Sequence, residues 1–127
     1  MITLVEVLEV YGTLDNQMGK TLLRTAESVL AQSSAEVLLL DLSNVKFIDS
    51  AGLGGLVKVL KTTESKGKRL LLCSLKNQVA MLLQLTRMNS LFEIVDDRSA
   101  VAHLLNQELS TDRKVTLEMF KTTVVTP

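Results

Sequence analysis

Val37-Leu38-Leu39-Leu40-Asp41-Leu42-Ser43-Asn44-Val45-Lys46-Phe47-Ile48-Asp49-Ser50-Ala51-Gly52-Leu53-Gly54-Gly55-Leu56 passes from one kind of secondary structure to another. Val37 to Leu40 is continuously apolar within Glu36 to Leu42, the mark of a strand covered on both faces. Leu53, Leu56, Val57 and Leu60 then recur at helical spacing opposite Lys58, Lys61 and Glu64, and Gly67 ends that run. Between the two, Gly52, Gly54 and Gly55 crowd against an acid and a hydroxyl. Each glycine lowers helix stability by about 1 kcal/mol relative to alanine, so something other than helix formation favours them here. The expectation is that they keep the surface around Ser50 bare.

Upstream, residues 2–11 alternate in part, with Leu4, Val7 and Val10 set against Thr3, Glu6 and Glu9. This predicts a first strand, closed by the turn chemistry of Gly12-Thr13-Leu14-Asp15-Asn16. Met18, Leu22, Ala26, Val29 and Leu30 form a helical stripe that Asp15 or Asn16 is placed to cap. Downstream, Leu70 to Cys73 reads as a second buried strand. Ser74, with Asn77 three residues on, is placed to cap a helix holding Val79, Leu82, Leu83 and Leu85 and running to about Met88. Phe92 to Val95 is a short strand. Asp96 or Asp97 then caps a last helix with Ala100, Val101, Leu104 and Leu105 inward.

Strand and helix alternate four times over, which predicts an α/β domain with a largely parallel sheet and right-handed crossovers. The domain is expected to span residues 1–109. Residues 110–127 form a tail whose structure stays open: Lys114 to Phe120 alternates like a strand, and Thr122 to Pro127 is rich in β-branched residues. The tail would add an edge strand, pair with another chain as in a homodimer, or remain mobile.

A chain of 127 residues is long enough to bury one core without disulfides or metal, and 46% of it is hydrophobic. Only Phe47, Phe92, Phe120 and Tyr11 are aromatic, so Leu and Val build the core. Fourteen basic residues balance fourteen acidic ones, leaving no general field to draw nucleic acid or a membrane surface. The single cysteine, Cys73, excludes an internal disulfide and a multi-cysteine metal site and suits a reducing compartment. Residues 1–7 lack the features of a signal peptide, and no stretch approaches the roughly 18 apolar residues of a membrane span. The expected place is the cytoplasm, with no cofactor and no metal.

Parallel strands bring every strand-to-helix loop to one end of the sheet. That gathers Asp15 and Asn16, Asp49 to Gly52, Ser74, and Asp96 with Asp97. Helix capping alone accounts for these residue types. Ser50 is set apart by Ala51, Gly52, Gly54 and Gly55, which leave its hydroxyl open to a macromolecule. A phosphate on it would lie at a helix N-terminus, where free N–H groups and the dipole stabilise an anion. The added charge, about −1.5 to −2, would instead repel a partner packed near Asp49 and Asp15.

Enzyme motifs fit poorly. Val57 stands where a dinucleotide fingerprint needs its third glycine, and there is no Gly-Lys-Ser/Thr phosphate loop. Ser50, Asp96 and His103 follow hydrolase order, but Ile48 replaces the glycine of the nucleophile elbow. A small serine hydrolase is therefore a remote alternative, and Cys73 reads as a core hydrophobe.

The run from Leu40 to Gly54, with Gly12-Thr13-Leu14-Asp15 before it and Leu85 to Ile94 after it, resembles the signature of bacterial anti-sigma factor antagonists, the STAS domain family. The resemblance covers about residues 4–105. It implies a four- to five-stranded, mostly parallel sheet flanked by four or more helices, and no catalysis. It further implies phosphorylation of Ser50 by a partner that is both serine kinase and anti-sigma factor, reversed by a phosphatase. The unphosphorylated form would bind that partner. Asp15 and Asp49 match the family's acids at this surface; Ala51 stands where a second Ser or Thr is common. The expected docking surface comprises Asp15, Asn16, Asp49, Ser50, Ala51, Gly52, Leu53 and Leu56, the two leucines partly buried because the helix period also assigns them to the core. A constitutive scaffold, with Ser50 acting only at a helix start, is the other reading.

Overall fold

In the computed structural model, which describes residues 3–108 and 114–127, the apolar run at 37–42 is the strand β2 (Val37–Asn44), buried from Val37 through Leu42. It lies at the centre of a five-stranded sheet. β1 (Val5–Tyr11) and β3 (Arg69–Cys73) flank it, and β5 (Phe120–Val125) and β4 (Glu93–Val95) form the edges, in the order β4-β3-β2-β1-β5. Every pairing is parallel, with Leu8 opposite Leu40, Leu40 opposite Leu72, and Leu72 opposite Ile94.

Four helices cover the sheet: α1 (Asn16–Gln32), α2 (Ser50–Ser65), α3 (Asn77–Leu85) and α4 (Arg98–Glu108). Alternate residues of the buried strands feed two cores. Leu8, Leu38, Leu40, Leu42 and Leu72 pack against Leu22, Leu56 and Leu83, so α1, α2 and α3 share one face. Val7, Leu39, Leu71 and Cys73 pack against Val101 and Leu105 of α4 on the other. Each of these fully buried leucines contributes about 2 kcal/mol by leaving water.

The strand β1 is more enclosed than its alternation suggested. Glu6 is buried and accepts a hydrogen bond from the Ser33 hydroxyl at 2.9 Å. Glu9 accepts from Tyr11 and pairs with Arg98 at the start of α4. Arg98 also donates from Nε to Asp41 Oδ2 at 2.7 Å and from a terminal nitrogen to Thr122 Oγ1 at 3.1 Å. One guanidinium thus joins α4 to β1, β2 and β5. Burial pushes the Asp41 carboxyl up, but the Ser43 N–H and hydroxyl and the Arg98 guanidinium together bring it below the ordinary aspartate value.

Of the open possibilities for the tail, residues 120–125 take the first. Phe120 to Val125 pairs with Val5 to Val10 as a parallel edge strand. The alternation from Lys114 to Phe120 makes no strand: a short 3-10 turn covers Leu117–Met119, and Val115 is buried against α4. Asn106 holds that segment, accepting from the Val115 N–H and donating to the Val115 carbonyl. Residues 110–113 lie outside the described residues.

Ser74 does not cap α3. It has φ 60° and its hydroxyl donates to the Asp96 carbonyl at 3.4 Å, while the helix begins behind Lys76 without a side-chain cap. The helix stops at Leu85 rather than at Met88, and Arg87, with φ 61°, separates it from a 3-10 turn at Met88–Ser90.

Candidate functional site

Because all five strands are parallel, the β1–α1 and β2–α2 loops leave the sheet at the same end. There they are stitched together. The Leu14 N–H donates to the Phe47 carbonyl at 2.9 Å, and the Asp49 N–H donates to the Leu14 carbonyl at 3.2 Å. This parallel bridge, Leu14 opposite Ile48, fixes the two acids at neighbouring helix starts.

Both acids are caps. Asp15 Oδ1 accepts from the Met18 N–H at 2.9 Å, and Asp49 Oδ1 accepts from the Gly52 N–H at 2.8 Å. Each satisfies an amide that the helix start leaves without an internal partner. Ser50, the first residue of α2, is exposed, as are Ala51, Gly54 and Asn16.

The glycines serve packing more than bareness. A Cβ on Gly52 would meet the Leu14 carbonyl oxygen at 1.8 Å, and one on Gly55 would meet Gly19 Cα at 2.8 Å. Only residues without a side chain let α2 approach the Leu14 carbonyl and α1 this closely. Gly54 faces open space, so of the three it alone bares the surface. Leu56 is fully buried and Leu53 is 7% exposed. The expected partial burial is thus corrected: the core takes both leucines, and Gly52 is buried with them.

What remains open between the helices is a shallow groove of about 270 Å³. Asn16, Lys20 and Leu23 line it from α1, and Ala51, Gly54 and Lys58 from α2. Neither lysine stands out in the sequence, since on each helix it looks like an ordinary solvated position.

Gln78, on α3, is equally silent in the sequence. Its Oε1 accepts from the Ile48 N–H at 2.8 Å and its Nε2 donates to the Ile48 carbonyl at 2.9 Å. Phe47, next to this clamp, is half exposed.

Elsewhere the chemistry is quiet. His103 is exposed on α4, across the sheet from the helix that Ser50 opens, so the hydrolase constellation is not assembled. Asp97 caps α4 through the Ala100 N–H at 2.8 Å. Burial pushes the Cys73 thiol up to about 11, which keeps it protonated and inert at neutral pH. Among the described residues, no group of three or more His, Cys, Asp or Glu is placed to hold a metal ion, and no helix is long and apolar enough to cross a membrane. A second hollow, of about 490 Å³, lies at the opposite end of the sheet around Val37 and Arg69 and is open to solvent.

Fold and site together define a small α/β domain that presents a serine at a glycine-lined helix start. The chain belongs to the STAS domain family, whose model matches residues 2–119. It is 25% identical over 91 residues to an anti-sigma F factor antagonist of Paenibacillus polymyxa, covering 72% of this chain and 78% of that relative. A sulfate transporter family protein of Wolinella succinogenes is similar in structure, with TM-score 0.72 at 19% identity over 86% of this chain and 93% of that one. The unphosphorylated anti-sigma factor antagonist SpoIIAA, from Bacillus, gives TM-score 0.66 at 16% identity over 87% and 96%. Likeness at these two identities is likeness of fold.

Proposed function

We propose that this chain is a phospho-switched anti-sigma factor antagonist of the cytoplasm that performs no catalysis. Unphosphorylated, it binds a serine kinase that is also an anti-sigma factor; phosphate on Ser50 releases it, and a phosphatase restores binding. The observation that carries this reading is the position of Ser50. It is exposed, it opens α2, and it directly follows the acid that caps that helix. A phosphate there is compatible with the helix dipole, so the fold tolerates the modification while a docked surface does not. The name of the Paenibacillus relative supports the same reading.

The docking surface is redrawn around what is accessible. Asp15, Asn16, Asp49, Ser50, Ala51 and Gly54 form it, with Lys20 and Lys58 along the groove. Gly52, Leu53 and Leu56 act from beneath, by bringing α2 onto the core. Incubation with the cognate kinase and ATP, followed by mass-spectrometric mapping of phosphate, tests the proposal. Phosphate on Ser50 is expected. An unmodified Ser50 would leave the constitutive scaffold as the better account.

A further inference from the structure

We propose that Gln78 is the positioning residue for Ser50, an inference that rests on reading Ser50 as the phosphate acceptor. The residues 47–49 run as one extended segment with two hydrogen-bonding edges. One edge is taken by Leu14, through the Phe47 carbonyl and the Asp49 N–H. The Ile48 N–H and carbonyl point the other way, toward the position a neighbouring strand would fill. There β3 has already ended at Cys73. The Gln78 amide stands in for the missing strand and answers both groups at 2.8 and 2.9 Å.

The match is chemically narrow. The two groups of Ile48 require one acceptor and one donor side by side, which a primary amide supplies and a carboxylate does not. The Ile48 side chain is itself buried, so the segment is held from both edges and from below. Asp49 and Ser50 follow immediately. With Ile48 fixed, Asp49 reaches the Gly52 N–H and Ser50 is left facing outward. With Ile48 released, the cap and the serine drift together. Gln78 touches no phosphate donor and acts only through the loop.

Two readouts test this. The first is amide hydrogen exchange in wild type, Gln78→Glu and Gln78→Met, with Gln84→Glu, at an exposed position of the same helix, as control. Ile48 and Asp49 should exchange about tenfold faster or more in both Gln78 variants. Leu39 and Leu71 should keep their protection, and the control should match wild type. Unchanged exchange at Ile48 and Asp49, or equal acceleration at Leu39 and Leu71, overturns the proposal. The second is the initial rate of phosphate incorporation at Ser50 with ATP and source-cell extract. Gln78→Glu should be slower by about tenfold, as expected of a displaced reacting group. An equal rate in a variant with faster loop exchange overturns the positioning role. Absence of phosphate on wild-type Ser50 would instead sink the acceptor reading, and the exchange data would then decide the loop clamp by itself.

Discussion

Gly52 and Leu14 meet backbone to backbone: a methyl group on Gly52 would lie 1.8 Å from the Leu14 carbonyl oxygen. That oxygen also accepts the Asp49 N–H, so the contact joins both halves of the site. The three glycines should therefore respond differently to alanine. Gly52→Ala has backbone to displace and should lose about 3 kcal/mol or more. Gly55→Ala, 2.8 Å from Gly19 Cα, should lose about 1–3 kcal/mol. Gly54→Ala meets nothing and should gain about 0.5–1 kcal/mol from helix propensity. Urea denaturation of the three variants checks this, and a uniform effect would contradict it.

Asp15 and Asp49 combine capping with a charge on the proposed docking surface, and amide variants separate the two. Asn caps about as well as Asp, whereas Ala costs about 1 kcal/mol. Asp49→Asn and Asp15→Asn should therefore melt close to wild type, and Asp49→Ala and Asp15→Ala below it. If the Asn variants bind the kinase as wild type does, the acids are caps and nothing more.

Ser50→Asp should stay folded and lose the partner. A carboxylate at the first position of α2 suits the dipole, so the melting midpoint should fall within about 3 °C of wild type. Melting well below that range would show that the helix start does not accept the charge.

Asp41 makes stability fall in acid. Its folded-state carboxyl lies below the ordinary value, so its contribution is fully present above the unfolded pKa of about 3.9. That contribution is lost as pH drops through the lower folded value. Arg98→Met removes one cause of the shift. The variant should be weaker by roughly 1–2 kcal/mol at pH 7, the pair being only partly buried. It should also lose less than wild type between about pH 5 and pH 2. Parallel stability curves would mean that the Ser43 hydrogen bonds lower the Asp41 carboxyl without a contribution from Arg98.

Local features of the site were legible in the chain itself. That a cap stands at Asp15 or Asn16, and another at the start of α2, follows from residue type and the helix run just after them, and β2 announces itself by its apolar continuity; the Met18 N–H selects Asp15. What escaped depends on partners far along the chain. Gly52 and Gly55 look, along the chain, like residues that keep a surface bare, because Leu14 and Gly19, which they touch, lie more than thirty residues upstream. Ser74 looked like a cap by spacing, but the carbonyl of Asp96 draws it away. Gln78 carries no signal at all, since a glutamine in the first turn of a helix is ordinary until Ile48 is seen beneath it. The same holds for Lys114 to Phe120, whose alternation fits a strand but whose Val115 is claimed by α4.

Whether phosphate on Ser50 switches partner binding is decided by titrating the purified kinase partner with two forms of this protein. One is unmodified and the other carries phosphoserine at position 50. The unmodified form should bind, and the phosphorylated one should bind about 100-fold more weakly, a difference of about 2.7 kcal/mol. Equal affinities for the two forms would contradict it.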